Sequence, residues 1–267
     1  MDTYHTFLQQ SLHVVSAIAN RNFGKVTGQD KIGDQNQVLT ETDLEIGQEL
    51  IKRIQANFPD HNIIDEEAGV MDKNSEFTWV VDPIDGTSNF ANGVPTYGVI
   101  IGLLEKDQPI AAGLALPAFQ EIYLAERGQG ATCNDQKLQV TSEKRLASCL
   151  VGYGIDAHPE DPKRTEEECQ LISKIVLKIR NFRSTNSVFD VAMLVKGGFG
   201  GLLNQSSKIW DNVAQQLIIE EAGGTYTDFW GAPIVYTDPL KRATQNFTYC
   251  AASPILHQQL QDIILQR

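Results

Sequence analysis

The apolar positions of the chain change their rhythm twice. From residue 3 to 23, Phe7, Leu8, Leu12, Val15, Ile18 and Ala19 recur at helical spacing, and Gly24 offers a stop. Residues 24 to 39 are polar and rich in turn formers, which reads as a loop or a hairpin. A second helix is expected over 43 to 57, with Leu44, Ile46, Leu50, Ile51 and Ile54 as its apolar face and Thr42 as its cap. Residues 61 to 65 (HNIID) and 77 to 82 (FTWVVD) then read as short strands, each ending in an acid.

The middle of the chain has a shorter beat. Residues 97 to 105, 109 to 117 and 121 to 128 are apolar or alternating runs separated by turns, the pattern of an antiparallel meander. A strand follows over 146 to 154, a helix over 164 to 180, and a helix over 187 to 198 that ends in glycines. A strand at 200 to 204 leads to a helix over 209 to 224, with Gly223 at or past its end. A late strand (247 to 253) and an amphipathic helix (254 to 266) close the pattern. Helices and strands in this order give an α+β or mixed α/β fold with layered sheets. Residues 1 to 267 read as one domain with a soft subdivision near 145.

Composition narrows the function. The net charge of −12 argues against nucleic acid or an anionic membrane as the main partner, since both call for a basic footprint. It also makes an anionic substrate awkward unless cations are recruited locally. Cys133, Cys149, Cys169 and Cys250 have no CxxC and no metal-type spacing, as expected of reduced thiols. No signal peptide and no apolar run of membrane-spanning length is found, so the cytoplasm is the expected location.

The segment WVVDPIDGTSNF, residues 79 to 90, carries the chemistry. Asp82 closes an apolar strand, Pro83 holds it extended, and Asp85 follows three residues on. Gly86 permits a special backbone conformation, and Gly86, Thr87 and Ser88 offer N–H groups at the start of a turn or helix, which suits an anion. Two carboxylates beside an anion nest point to a divalent, oxygen-loving cation carrying a phosphate, and Mg²⁺ fits. Asp65-Glu66-Glu67 can add a ligand, and Asp211 opens a later helix where an acid also serves as a cap. The histidines (His5, His13, His61, His158, His257) form no ligand pair and read as structural or solvated.

Taken together, Glu66-Glu67, the run from Asp82 to Phe90, and Trp210-Asp211-Asn212-Val213-Ala214 resemble the inositol monophosphatase family of Mg²⁺-dependent, lithium-sensitive phosphatases. Thr40-Glu41-Thr42-Asp43 and Glu221-Ala222-Gly223-Gly224 extend the resemblance over nearly the whole chain. It implies a layered αβαβα sandwich of the inositol monophosphatase/fructose-1,6-bisphosphatase type and a homodimer. It implies that Glu66, Asp82 and the Ile84 carbonyl hold one Mg²⁺ while Asp82, Asp85 and Asp211 hold a second. A third, looser ion would lean on Glu66. Thr87 would bond the attacking water, Asp43 would orient Thr87, and Gly86, Thr87 and Ser88 would hold the phosphate. Lys31 is either near the third ion or a solvated loop charge.

The substrate end departs from the family pattern. Counting back seven residues from Asp211, where an acid usually contacts sugar hydroxyls, reaches Asn204. In Arg183-Ser184-Thr185-Asn186-Ser187, Asn186 stands where the family has glycine, and asparagine tolerates the left-handed region. Asp190 reads as structural. The expected function is therefore a phosphomonoesterase for a small polyol or sugar phosphate, inositol monophosphate-like, with Asn186, Ser187 and Asn204 facing the alcohol. The alternatives are a phosphatase for a nucleotide 3′-phosphate or a sugar bisphosphate, or a non-catalytic Mg²⁺- or phosphate-binding regulator.

Overall fold

The computed structural model describes residues 3–31 and 34–266. The chain runs α1 (Thr3–Asn22), β1 (Gln29–Lys31), β2 (Asp34–Leu39), α2 (Glu41–Asn57), β3 (Asn62–Asp65), β4 (Gly69–Met71), β5 (Phe77–Asp85) and α3 (Thr87–Ala91). The meander follows as β6 (Gly98–Glu105), β7 (Gln108–Leu116), β8 (Glu121–Glu126), β9 (Gly130–Cys133) and β10 (Gln136–Lys137). The remainder is β11 (Leu150–Gly154), α4 (Pro162–Val176), β12 (Asn181–Arg183), α5 (Phe189–Val195), β13 (Phe199–Ser207), α6 (Ile209–Glu221), β14 (Thr225–Thr227), β15 (Phe247–Ala252) and α7 (Pro254–Ile264).

Two sheets organise these elements. The larger has the order β10-β9-β8-β7-β6-β5-β3-β4, and the smaller β12-β11-β13-β15-β14. The meander is antiparallel throughout, whereas β3 lies parallel to β5, and β11 is parallel to both β12 and β13. Residues 24 to 39 hold the antiparallel hairpin β1–β2.

Helices cover both faces of each sheet. One face of the larger sheet packs Val99, Ile101 and Leu103 against Leu8, Leu12 and Val15 of α1 and Ile46 and Leu50 of α2. The other face sends Ile100 and Leu114 to α5 and α6, which meet Leu202, Tyr249 and Ala251 of the smaller sheet. The far side of that sheet packs Val151, Leu203 and Cys250 against Ile175 of α4 and Leu256 and Leu260 of α7. The result is five layers, αβαβα, as the resemblance implies. With both faces covered, β6 has no polar side, so its burial runs unbroken from Gly98 to Leu104.

Two local expectations are corrected. The cap of α2 is Thr40, not Thr42: Thr40 Oγ1 accepts from the Thr42 N–H, and Asp43 Oδ2 accepts from the Thr40 N–H at 2.9 Å. Both threonines have an acid three residues on, Asp43 and Glu45, but Thr40 has the extended backbone of a cap (φ −122°, ψ 163°) while Glu45 instead accepts from Arg21 and Asn22 of α1. The strand at residue 77 does not stop at Asp82 but runs through Pro83 to Asp85, with its register against β6 broken between Asp82 and Asp85. An irregularity is where a strand tolerates proline, and it re-aims the flanking side chains.

Helix α6 lies unusually near the larger sheet at Gly102. A methyl group there would meet Val213 Cγ1 at 2.8 Å and the backbone nitrogen of Ala214 at 3.1 Å. Gly102→Ala should therefore destabilise the protein by about 1–3 kcal/mol through overpacking. A urea unfolding midpoint unchanged from the parent would refute this close approach.

Candidate active site

Asp82 and Asp85 sit at the end of β5, and Asp211 lies in the first turn of α6. Each offers a carboxylate oxygen within 4.8 Å of the other two. Asp82 is buried, while Asp85 and Asp211 are half-buried along the wall of a cavity of about 1190 Å³. Local bonds aim them. Asp85 Oδ2 accepts from the Val188 N–H. Asp211 Oδ2 accepts from the Lys208 N–H at 2.6 Å, so it caps its helix and still presents its carboxylate to the cluster.

This crowding is costly. Burial, and then the charges of Glu66 and Asp85, push Asp82 well above the usual carboxylate range. Burial and Asp211 do the same to Asp85. Burial pushes Asp211 up from 3.8 to about 7, although its bond from Lys208 opposes the shift. The buried Asp82 Oδ1 has no hydrogen-bond partner. An orphaned buried oxygen among clustered hard oxygen donors is what a divalent cation of the Mg²⁺ or Ca²⁺ kind requires, so the residues fit such an ion.

The neighbouring groups arrive from several elements. Glu66 follows β3 and lines the cavity, as do Ile84, Gly86, Thr87 and Ser88. Asp65 Oδ1 accepts from the N–H groups of Glu67 at 2.9 Å and Ala68 at 2.7 Å, fixing the turn that carries Glu66. Lys31 is not a solvated charge. Its ammonium donates to Glu66 Oε1 at 2.8 Å and Glu67 Oε1 at 2.6 Å. Burial opposes that charge, but the two carboxylates outweigh it and hold the lysine above its ordinary range.

Gly86 precedes α3 with φ +83°, and a methyl group there would strike Ser187 Cβ at 2.8 Å. Only glycine allows both the left-handed backbone and this approach. Thr87 begins α3, and its hydroxyl donates between Asp43 Oδ1 at 3.0 Å and the Ile84 carbonyl at 2.7 Å. Asp43 is itself buried, with its pKa raised by that burial against the bonds from Thr40 and Thr87.

Next to Ser187, Asn186 has φ +51°, so the asparagine does adopt the left-handed conformation. Its Nδ2 donates to Asp156 Oδ1 at 2.8 Å. Asn204 Oδ1 accepts from the Ser206 N–H at 2.5 Å. The carboxamides of Asn186 and Asn204 converge over Gly154, where any side chain would collide with both. Ser187 lines the cavity beside them. The same wall includes His158, Arg164, Ser206 and Asn246, which sequence reasoning missed. His158 and Asn246 lie in loops, Arg164 on a charged helix and Ser206 near the end of β13, and no motif distinguishes them from solvated residues. Asp190 is buried with one carboxylate oxygen unpartnered, and burial raises it to about 6.

The chain matches the profile of the inositol monophosphatase family over residues 1–265. It is 31% identical over 219 residues to a protein of Aquifex aeolicus named fructose-1,6-bisphosphatase/inositol-1-monophosphatase, covering 79% of this chain and 80% of that one. It is also 31% identical to the Nus factor SuhB of Haemophilus influenzae, over 73% of each chain. Among solved structures, an IMPase of Thermotoga maritima superposes with a TM-score of 0.84 at 25% identity, over 96% of this chain and 94% of that one.

The raised carboxylates make metal-free stability depend on pH. Asp211 titrates near 7 when folded and near 3.8 when unfolded, so the folded state holds the extra proton between those values. The stability this proton supplies is complete below the unfolded value and lost as pH rises through the folded one. Metal-free protein should therefore melt at progressively lower temperature as pH rises through this window. Asp211→Asn should flatten that decline and weaken the stabilisation produced by added Mg²⁺. A wild-type melt that ignores pH, or a Mg²⁺ response untouched by the substitution, would contradict the cluster.

Proposed function

The chain belongs to the inositol monophosphatase family, a family of phosphatases, and on that footing we propose that it is a Mg²⁺-dependent phosphomonoesterase acting on a small polyol or sugar phosphate. The observation that carries this reading is the Thr87 hydroxyl, hydrogen-bonded to buried Asp43 beside the Asp82–Asp85–Asp211 cluster. Asp43 is fixed by Thr40 and, with the Ile84 carbonyl, shares the Thr87 proton. The Thr87 oxygen is thereby left as an acceptor toward the cavity, where it can take a hydrogen bond from a water and line it up on phosphorus.

Glu66, Asp82, Asp85, Asp211 and the Ile84 carbonyl would hold two to three Mg²⁺ ions, with Lys31 bordering the Glu66 end. When bound, Mg²⁺ supplies the positive charge that draws an anionic ester into an acidic cavity and activates the attacking water. The N–H groups of Gly86, Thr87 and Ser88 open α3 and have no intrahelical partners, so they suit phosphate oxygens. Asn186, Ser187 and Asn204 then face the alcohol with hydrogen-bonding groups and no charge.

The setting of this reading is a cytoplasmic homodimer working on a small phosphorylated compound. Free thiols at Cys133, Cys149, Cys169 and Cys250 suit a reducing compartment. No helix among the described residues is long and apolar enough to cross a membrane. The name Nus factor, carried by several relatives, favours a second, non-enzymatic role alongside catalysis.

A panel of phosphomonoesters assayed by kcat/KM with Mg²⁺ tests the proposal, and chelation with EDTA should abolish turnover. Thr87→Ala should lower kcat by about 10²–10⁴-fold with little change in melting temperature. Millimolar Li⁺ should inhibit. Turnover that survives EDTA, or a Thr87→Ala enzyme as fast as its parent, would sink the proposal.

A further inference from the structure

The cavity wall built by α4 and the end of β13 contains a guanidinium that the phosphate-cleaving machinery does not use. Arg164 stands in the first turn of α4 and lines the cavity. Its Nη2 donates to the Gln205 carbonyl at 3.0 Å and to Ser206 Oγ at 2.9 Å. Its Nε lies 3.7 Å from Glu168 Oε1. Glu168 is only 3% exposed, and neither of its carboxylate oxygens has a hydrogen-bond partner. A carboxylate buried so deeply is expensive without a countercharge, so it ties the arginine to the wall. Among the described residues both guanidinium hydrogen bonds come from Nη2 and none from Nη1.

The nearby acids are already engaged. Asp156 accepts from Asn186 at 2.8 Å, and Glu160 lies 3.4 Å from the His158 ring. The other His158 nitrogen lies 3.4 Å from Ser206 Oγ, so histidine and arginine share one hydroxyl. Ser206 is two residues beyond Asn204 on β13. This group therefore adjoins the alcohol side of the site rather than its metal side. At about 1190 Å³ the cavity exceeds the usual span for a small-molecule site, leaving room beyond a single phosphate and its polyol.

We propose that Arg164 is a specificity-determining residue that receives a second anionic group, a phosphate or a carboxylate, at the end of the substrate away from the phosphate being cleaved. Glu168 is its positioning residue, holding the planar fork so that Nη1 faces the cavity. A guanidinium matches both oxyanions in shape, and a lysine in its place would lose the paired donors. This inference rests on the phosphatase reading above and names the substrate class that reading leaves open.

The test compares glucose 1-phosphate, glucose 1,6-bisphosphate and glucuronate 1-phosphate with Mg²⁺. The wild type should favour at least one doubly anionic substrate over the monophosphate by about tenfold or more in kcat/KM, mainly through KM. Whether the bisphosphate or the uronate gains identifies the second group. Arg164→Gln should erase that preference while changing the monophosphate by less than about threefold. Arg164→Lys should restore it only in part. Glu168→Gln should weaken the preference through KM at unchanged kcat for the monophosphate, a split that a general loss of packing would not produce. Melting curves identify any variant that fails to fold, and the wild-type preference and the lysine variant then decide. Monophosphate turnover with no preference, or equal losses on all three substrates, overturns this inference alone. Hydrolysis of none of the three, nor of any member of the phosphomonoester panel, overturns the phosphatase reading with it.

Discussion

Asp82, Asp85 and Asp211 bring carboxylate oxygens within 4.8 Å of one another, a repulsion of roughly 3 kcal/mol for each fully charged pair at an effective dielectric of 20. The fold tolerates this because the three residues are not free to separate. Two stand on a strand buried on both faces. The third stands on α6, whose Val213, Ala214, Leu217 and Ile218 are wedged between the sheets. Each large apolar side chain so buried contributes about 1.5–3 kcal/mol, enough together to hold the acids in place. Packing energy is thus stored as electrostatic strain, which a bound cation would release.

The same strain explains the surrounding polar architecture. Glu66 belongs to a turn stiffened by Asp65, while Lys31 reaches from the β1–β2 hairpin to offset Glu66 and Glu67. Asp43 lies deeper and does two tasks at once. It closes the capping box of α2 and orients Thr87. A helix start is thereby coupled to the chemistry, and the geometry of Thr87 is as rigid as the helix.

Much of this was legible in the sequence for definite reasons. Long apolar runs bounded by glycine and proline gave the meander and the main helices, and the run from Asp82 to Phe90 combines residue types that no ordinary turn needs together. The short strands β4, β12 and β14 escaped notice because three residues carry no periodicity. The cap was not legible, because Thr40 and Thr42 each precede an acid by three residues and only the fold commits Glu45 to α1, leaving Asp43 to close the box. Arg164 and Glu168 lie in a charged helix that reads as solvated, and only the tertiary fold turns one toward the cavity and buries the other. Asn186 was legible as a backbone substitute for glycine, but its bond to Asp156 was not, being a contact across 30 positions.

The two walls of the cavity come from different sheets. The carboxylates of β5 and the turn at Gly86 belong to the larger sheet, whereas Gly154, Asn186, Asn204 and Ser206 sit on or beside strands of the smaller one. On the proposed reading, bond cleavage would draw mainly on the larger sheet and recognition of the alcohol on the smaller, with Asp211 at the start of α6 the link between them. Mutation could then remodel the loops around Asn186 and Asn204, and with them the choice of alcohol, as long as the Val188 and Lys208 N–H groups that aim Asp85 and Asp211 keep their places. Such a partition lets one scaffold radiate into many substrates without reinventing its chemistry.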